Sequence, residues 1–150
     1  FVETDYPIGV VSLSPKFSNS VPVIGAITPA GKVADERFIK THNRYRLNTD
    51  SIKRMIKYHT DYHFKPVWDG TDNNLKEIED YRVELDIPKD KTYIMPAGDT
   101  RETLIKMYPL VFNMCVEHGY NMTGRDHITW DIKVQNYLVD LHAALDNGKQ

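Results

Sequence analysis

Cysteine occurs once in this chain, at Cys115, and that scarcity excludes more than any other feature. A lone cysteine leaves no internal disulfide and no cysteine-only metal or iron–sulfur site within these residues. Long apolar runs are missing too: none reaches the ~18 residues a membrane-spanning helix needs. The opening stretch, FVETDYPIGVV, has neither a basic start nor an apolar core before a cleavage site, so it is not a secretory signal. No GxGxxG and no phosphate loop is present. Neither sign of charge dominates. The formal net charge of −2 argues against a broad polyanion-binding surface, while leaving room for a local basic patch. The expected setting is the cytoplasm, with no membrane and no direct nucleic-acid partner.

What is present is the make-up of a globular domain. The 150 residues are 41% hydrophobic and 27% charged, too apolar for a disordered chain. They suit one domain or a large part of a bigger one. The chain starts without methionine on an alternating segment ending in Glu3-Thr4. That reads as a strand entered midway, which points to a fragment of a longer protein.

Periodicity orders the rest. Val10 to Leu13 reads as a buried strand closed by Ser14-Pro15. Residues from about 17 to 48 carry Pro22, Gly25, Pro29 and Gly31 without a clear period, and read as a long loop or insertion. Asp50 can cap a helix that places Ile52, Met55, Ile56 and His59 on one face. Phe64 to Trp68 reads as a strand in which Pro66 implies an edge or a bulge. Asn73 can cap a helix with Leu75, Ile78, Arg82 and Leu85 at helical spacing, ended by Pro88. Thr92 to Met95 is the cleanest strand, stopped by Pro96-Ala97-Gly98. Asp99 and Glu102 have capping-box spacing before a helix striped by Leu104, Met107, Val111 and Cys115. Pro109 should kink that helix and Gly119 should end it. Asn121 to Thr123 suits another strand, and residues 131–150 a last helix with Val134, Leu138, Leu141 and Leu145 on one face, then a polar tail. Strand and helix alternate, which argues for an α/β fold with mostly parallel strands. Ligand sites in such sheets lie beyond the carboxyl ends of the strands. Ser14-Pro15-Lys16, Met95-Pro96-Ala97-Gly98 and Arg125-Asp126-His127 occupy that position.

These segments, in this order, resemble the 7-carboxy-7-deazaguanine synthases of the radical S-adenosylmethionine superfamily. Leu13-Ser14-Pro15-Lys16 is similar to the family's Ser-Pro-Lys signature, and Val2-Glu3-Thr4 to a Glu-Thr strand end, with Asp5 departing from the usual residue. Phe64-Lys65-Pro66-Val67 resembles a Lys-Phe-Val strand, with Pro66 as a departure. Ile94 to Leu104 follows a Met-Pro-x-Gly-x-Thr-Arg-Glu-x-Leu pattern most fully, and Cys115 to Tyr120 and Arg125 to Ile128 continue in register. The resemblance runs with gaps from about residue 2 to 130. It implies the C-terminal portion of a partial (β/α)6-type barrel over 1–130, with the 17–48 insertion. A C-terminal helix and tail over 131–150 extend past the family's usual end.

The resemblance further implies a radical lyase, active only with an N-terminal part holding the cluster cysteines; this chain alone is expected to be inactive. S-adenosylmethionine would be held by Thr4, Ser14, Pro15, Lys16, Met95, Pro96, Ala97 and Gly98. His127 and Arg125 would face the pterin substrate. A 4Fe–4S cluster and Mg²⁺ would have their ligands upstream of Phe1, with no catalytic and no metal-binding residue in this chain. The reaction would be ring contraction of 6-carboxy-5,6,7,8-tetrahydropterin to 7-carboxy-7-deazaguanine, for queuosine-type or modified-DNA synthesis. A homodimer reduced by flavodoxin or ferredoxin is implied.

Other readings stand beside these. Another radical S-adenosylmethionine enzyme with a different small substrate would share the cofactor motifs, and a non-catalytic α/β binding module would share the fold. Arg125-Asp126-His127 reads equally as a surface ion pair beside an imidazole. Cys115, on an apolar stripe, reads as a small core residue. His59 and His63 have i, i+4 spacing near Asp61, but no third ligand accompanies them, so a core or boundary histidine is the reading there.

Overall fold

The computed structural model describes residues 9–28, 31–59 and 61–130. The expected first strand at residues 2–4, Thr4 with it, and the expected last helix over 131–150 lie outside the described residues.

Among the described residues every pairing between named strands is parallel, with one antiparallel bridge, Ile27 to Val33, outside them. Strand β1 (Val11–Leu13) pairs with β2 (Tyr62–Phe64), and Leu13 sits opposite Phe64. Strand β3 (Val67–Trp68) pairs with β4 (Tyr93–Pro96), which pairs with β5 (Asn121–Met122) on its other side. Phe64 adds an isolated bridge to Thr92. The single strand expected over Phe64–Trp68 is therefore two short ones broken at Pro66, and β3 lies at the edge of its three-stranded sheet, in keeping with the disturbance expected at the proline. Proline supplies the reason: the Pro66 carbonyl accepts from Met95 N–H at 2.9 Å, but its nitrogen has no proton to return to the ladder. The described strands form two small parallel sheets and close no barrel.

The helices differ from expectation mainly at their starts. Within the segment read as a loop lies α1 (Glu36–Tyr45), capped by Asp35, which accepts from Phe38 N–H at 2.7 Å. Phe38, His42 and Tyr45 share one face at helical spacing, a pattern that the surrounding prolines and glycines mask, and none of the helix's residues is fully buried. Helix α2 (Thr49–Tyr58) starts from Asn48, in the left-handed region at φ 50°; Asp50 sits inside the first turn, where its charge suits the helix dipole. Helix α3 (Asp72–Glu84) is capped by Thr71, not Asn73, and α4 (Arg101–His118) by Thr100, not Asp99. In both, the threonine hydroxyl accepts from the backbone N–H three residues on, at 3.2 Å. Helix α4 runs through Pro109 as one element and stops at Gly119, whose φ of 71° gives the left-handed turn a C-terminal cap requires. A short α5 (Asp126–Thr129) follows β5. Among the described residues no helix is long and apolar enough to cross a membrane.

Alternation along the strands sends Leu13, Phe64, Trp68, Ile94 and Pro96 into the core, where Ile78 and Tyr81 of α3 and Val111 and Cys115 of α4 meet them. At its centre Phe17, Phe64 and Tyr81 pack ring against ring, with centroids 5.6–6.5 Å apart. Two of the three contacts are edge-on, the arrangement aromatic quadrupoles favour. Phe64→Ala should therefore cost about 3–5 kcal/mol through lost transfer energy plus a cavity, while Phe112→Ala, at a side chain 59% exposed, should stay within about 0.5 kcal/mol. Urea unfolding midpoints of the two variants test this contrast.

Candidate functional site

Three loops at the carboxyl ends of the strands converge. After β1, Pro15 is buried, Lys16 turns outward and Phe17 plugs the core at 1% exposure. After β4 come Ala97 and Gly98, and after β5 comes Arg125. Together with Asn19, Ser20, Val67, Asp69 and Asp99 they line a cavity of about 390 Å³, within the range of small-molecule sites. Arg125 spans the gap between two of the loops: its Nη1 donates to the Gly98 carbonyl at 2.5 Å. Gly98 itself has φ 151°, and a Cβ there would come within 3.0 Å of Leu104 and 3.1 Å of Thr103. The positive φ favours glycine at that position, and an added Cβ would also need the Leu104 and Thr103 side chains to give way.

The sequence-derived candidates divide. Pro15, Lys16, Ala97, Gly98 and Arg125 share the cavity. Ser14 instead lines a separate depression with Leu13, Ser51 and Ile52. Met95 is half-buried opposite Val67, Pro96 points into the core, and neither lines the cavity. His127 is exposed on α5, away from the cavity lining. Thr4 lies outside the described residues.

Sequence reasoning missed Asp69, Asp99 and Asn19. The rule that selected the other loops points to Asp69 as well, since Trp68-Asp69-Gly70 is a strand end followed by glycine; Pro66 obscured that strand. The Asp69 carboxylate accepts from Thr71 N–H at 3.0 Å and from the Thr71 hydroxyl at 2.7 Å. Asn74, buried at 3% exposure, accepts on Oδ1 from Asp69 N–H at 3.1 Å and from Asn19 Nδ2 at 3.2 Å. Two carboxylates and two cations therefore face one space. Such a set suits a ligand that carries both signs of charge together with hydroxyls.

Among the described residues no group of three His, Cys, Asp or Glu stands together to hold a metal ion. His59 ends α2 and His63 belongs to β2, so the spacing that would put them on one helical face does not apply. The His63 ring lies 4.5 Å from that of Tyr93, and Asp61 is paired with Lys91. The Lys91 hydrogen bond holds the Asp61 carboxyl below its ordinary range. Cys115 is 4% exposed, and burial pushes its thiol up to about 11. The thiol donates to the Asn121 carbonyl at 3.4 Å.

In comparison with known proteins, the chain is 32% identical over 121 residues to a 7-carboxy-7-deazaguanine synthase from Rhodopirellula baltica (strain DSM 10527 / NCIMB 13988 / SH1). The aligned part covers 81% of this chain but 44% of that protein, so the chain spans less than half the length of the relative it matches. No family model matches the sequence, and no solved structure matches it.

Burial of Cys115 sets a testable reactivity. With its pKa near 11, the thiolate fraction at pH 8 is roughly a hundredfold or more below that of a free cysteine. A thiol reagent should label the native protein correspondingly slowly and reach the free-cysteine rate in denaturant. Rapid labelling of the folded chain would contradict the buried placement.

Proposed function

The chain belongs to the 7-carboxy-7-deazaguanine synthase family, and on that premise we propose that it forms part of a radical S-adenosylmethionine enzyme that contracts 6-carboxy-5,6,7,8-tetrahydropterin to 7-carboxy-7-deazaguanine with loss of ammonia. One observation carries the reading: three loops distant in sequence, each bearing a family-like segment, meet around a single cavity that contains Pro15, Lys16, Ala97, Gly98 and Arg125. In this reading those β strands are the C-terminal portion of a partial (β/α)6-type barrel, completed by residues outside this chain.

The cavity's donor set fits the cofactor. Asp69 and Asp99 can accept from ribose hydroxyls or an ammonium, and Lys16 can face a carboxylate. Pro15, Val67 and Ala97 offer apolar surface to a flat base. In the proposed site Ser14, Met95 and Pro96 belong to the cofactor-binding segments, and Thr4 is proposed as a further cofactor-binding residue. Bound S-adenosylmethionine supplies the radical chemistry; the residues here bind it, orient it and exclude water. An iron–sulfur cluster does not fit this chain, whose one cysteine is buried and protonated. Its ligands, and those of Mg²⁺, fall to residues outside it. Arg125 at the cavity and His127 two residues on are the proposed substrate-facing pair.

Partners follow the same reading, in the cytoplasm. The exposed apolar residues Val23, Ile24, Ile27 and Val33, each at least 64% exposed, suit burial against a second copy in a homodimer. Residues 9–58 carry nine Lys and Arg against three Asp and Glu, and Arg37, Lys40, Arg44, Lys53 and Lys57 are exposed on α1 and α2. That surface suits an acidic electron carrier such as flavodoxin or ferredoxin. Its reduction rate should fall as ionic strength rises.

The decisive experiment reconstitutes the full-length protein anaerobically with cluster, S-adenosylmethionine and the carboxypterin, and assays the deazaguanine product. Cofactor cleavage without ring contraction would favour a different small substrate; neither event would favour a binding module. In the active protein, His127→Ala should raise KM for the pterin about tenfold while leaving the cofactor dissociation constant within about twofold, the split expected when one substrate hydrogen bond is lost. Equal loss of both would remove His127 from the substrate side.

A further inference from the structure

The loop after β1 brings Pro15 and Lys16 to the cavity, yet Ser14, Lys16 and Ser18 are exposed and Phe17 is the apolar anchor among them. A carboxylate from α3 supplies the polar anchorage. Ser18 N–H donates to both oxygens of Glu77, at 3.1 and 3.0 Å, and the Ser18 hydroxyl donates to Oε2 at 2.6 Å. Arg46, the C-cap of α1, donates from Nη1 to Glu77 Oε1 at 3.0 Å and to the Lys16 carbonyl at 3.2 Å. The Arg46 carbonyl in turn accepts from Lys16 N–H at 2.8 Å. Both backbone groups of Lys16 are thus bonded to one residue, and that residue is bonded to Glu77. The two ends of the segment between residues 17 and 48 close on this clamp.

The pair is partly withdrawn from water, with side chains 18% and 26% exposed, so it is screened less than a surface ion pair. Burial pushes the Glu77 carboxyl up, but the hydrogen bonds from Ser18 and Arg46 outweigh it and hold the group below its ordinary value. Neither Glu77 nor Arg46 lines the cavity. Arg46 bonds to the backbone of Lys16, which does, and Glu77 holds Arg46 and Ser18, two residues further along the same loop.

We propose that Glu77 and Arg46 are positioning residues, which fix the Lys16 backbone at the cavity and thereby set the affinity for the cofactor. This rests on the reading of the cavity as an S-adenosylmethionine site. The clamp acts on the loop after β1 alone, whereas the proposed substrate side is carried by Arg125 and His127 after β5. Loss of the clamp therefore weakens one ligand and spares the other.

The test uses the full-length, cluster-reconstituted protein, with Glu77→Gln, Arg46→Ala and the double variant. Equilibrium dialysis measures the dissociation constants of S-adenosylmethionine and, separately, of the carboxypterin. Each single variant should weaken S-adenosylmethionine about tenfold, as expected for losing a charge-assisted contact, and leave the carboxypterin within about twofold. The double variant should be no worse than about twofold beyond the weaker single one, because residues in one network do not act additively. If Glu77→Gln fails to fold, Ser18→Ala and Arg46→Ala carry the same comparison. Equal weakening of both ligands, multiplying effects in the double variant, or unchanged S-adenosylmethionine binding would each overturn the positioning role. A wild-type protein that binds no S-adenosylmethionine overturns the functional reading and this inference with it; a binding wild type with indifferent variants overturns the inference alone.

Discussion

Phe17, Phe64 and Tyr81 meet beneath the strands, and the placement of the cavity follows from that contact. Phe17 belongs to the loop after β1, Phe64 to β2 and Tyr81 to α3, so one aromatic cluster joins three separate parts of the chain. Burial of such side chains is worth roughly 1.5–3 kcal/mol each, more than the exposed polar contacts around them can supply. With Phe17 seated, Lys16 and Ser18 on either side must point outward. There the Glu77 carboxylate can reach Ser18, and the Arg46 guanidinium can reach both Glu77 and the Lys16 carbonyl. The apolar contact supplies the energy and the polar clamp supplies the register.

The cavity then arises where parallel strands end. Parallel pairing puts the carboxyl ends of β1, β3, β4 and β5 on one side, so the loops after them gather there whatever their sequence. What this chain adds is a balance of charge, with Asp69 and Asp99 facing Lys16 and Arg125. The bond from Arg125 to Gly98 closes the far wall, and glycine at 98 lets the chain pass close to Leu104 and Thr103.

Much of the fold is legible in the residues. The β4 strand, the buried stripe of α4 and the stop at Gly119 follow from period and from the single residue type that favours a left-handed turn. Helix starts are less legible: Thr100 caps where Asp99 was as plausible a choice, and Thr71 where Asn73 was, since all four are good capping residues and only the backbone geometry selects among them. Helix α1 carries Phe38, His42 and Tyr45 at helical spacing behind the Asp35 cap, a short signal easily lost beside the Pro22, Gly25, Pro29 and Gly31 that precede it. At Pro66 the local residues indicate a disturbance, but whether it falls at an edge or inside depends on which strands flank it.

Two things about this protein were settled by its sequence alone. Alternating periodicities argue for parallel strands with helical crossovers, because each element must bury its own apolar face. One cysteine among 150 residues excludes a cysteine-only iron–sulfur site within these residues, because ligand count is a matter of composition. Only the tertiary structure decided which side chains share a space. Asp69 and Asp99 lie 30 residues apart and Glu77 lies 31 from Arg46. No local pattern encodes such distances, since they result from packing a loop and two helices against the same aromatic core.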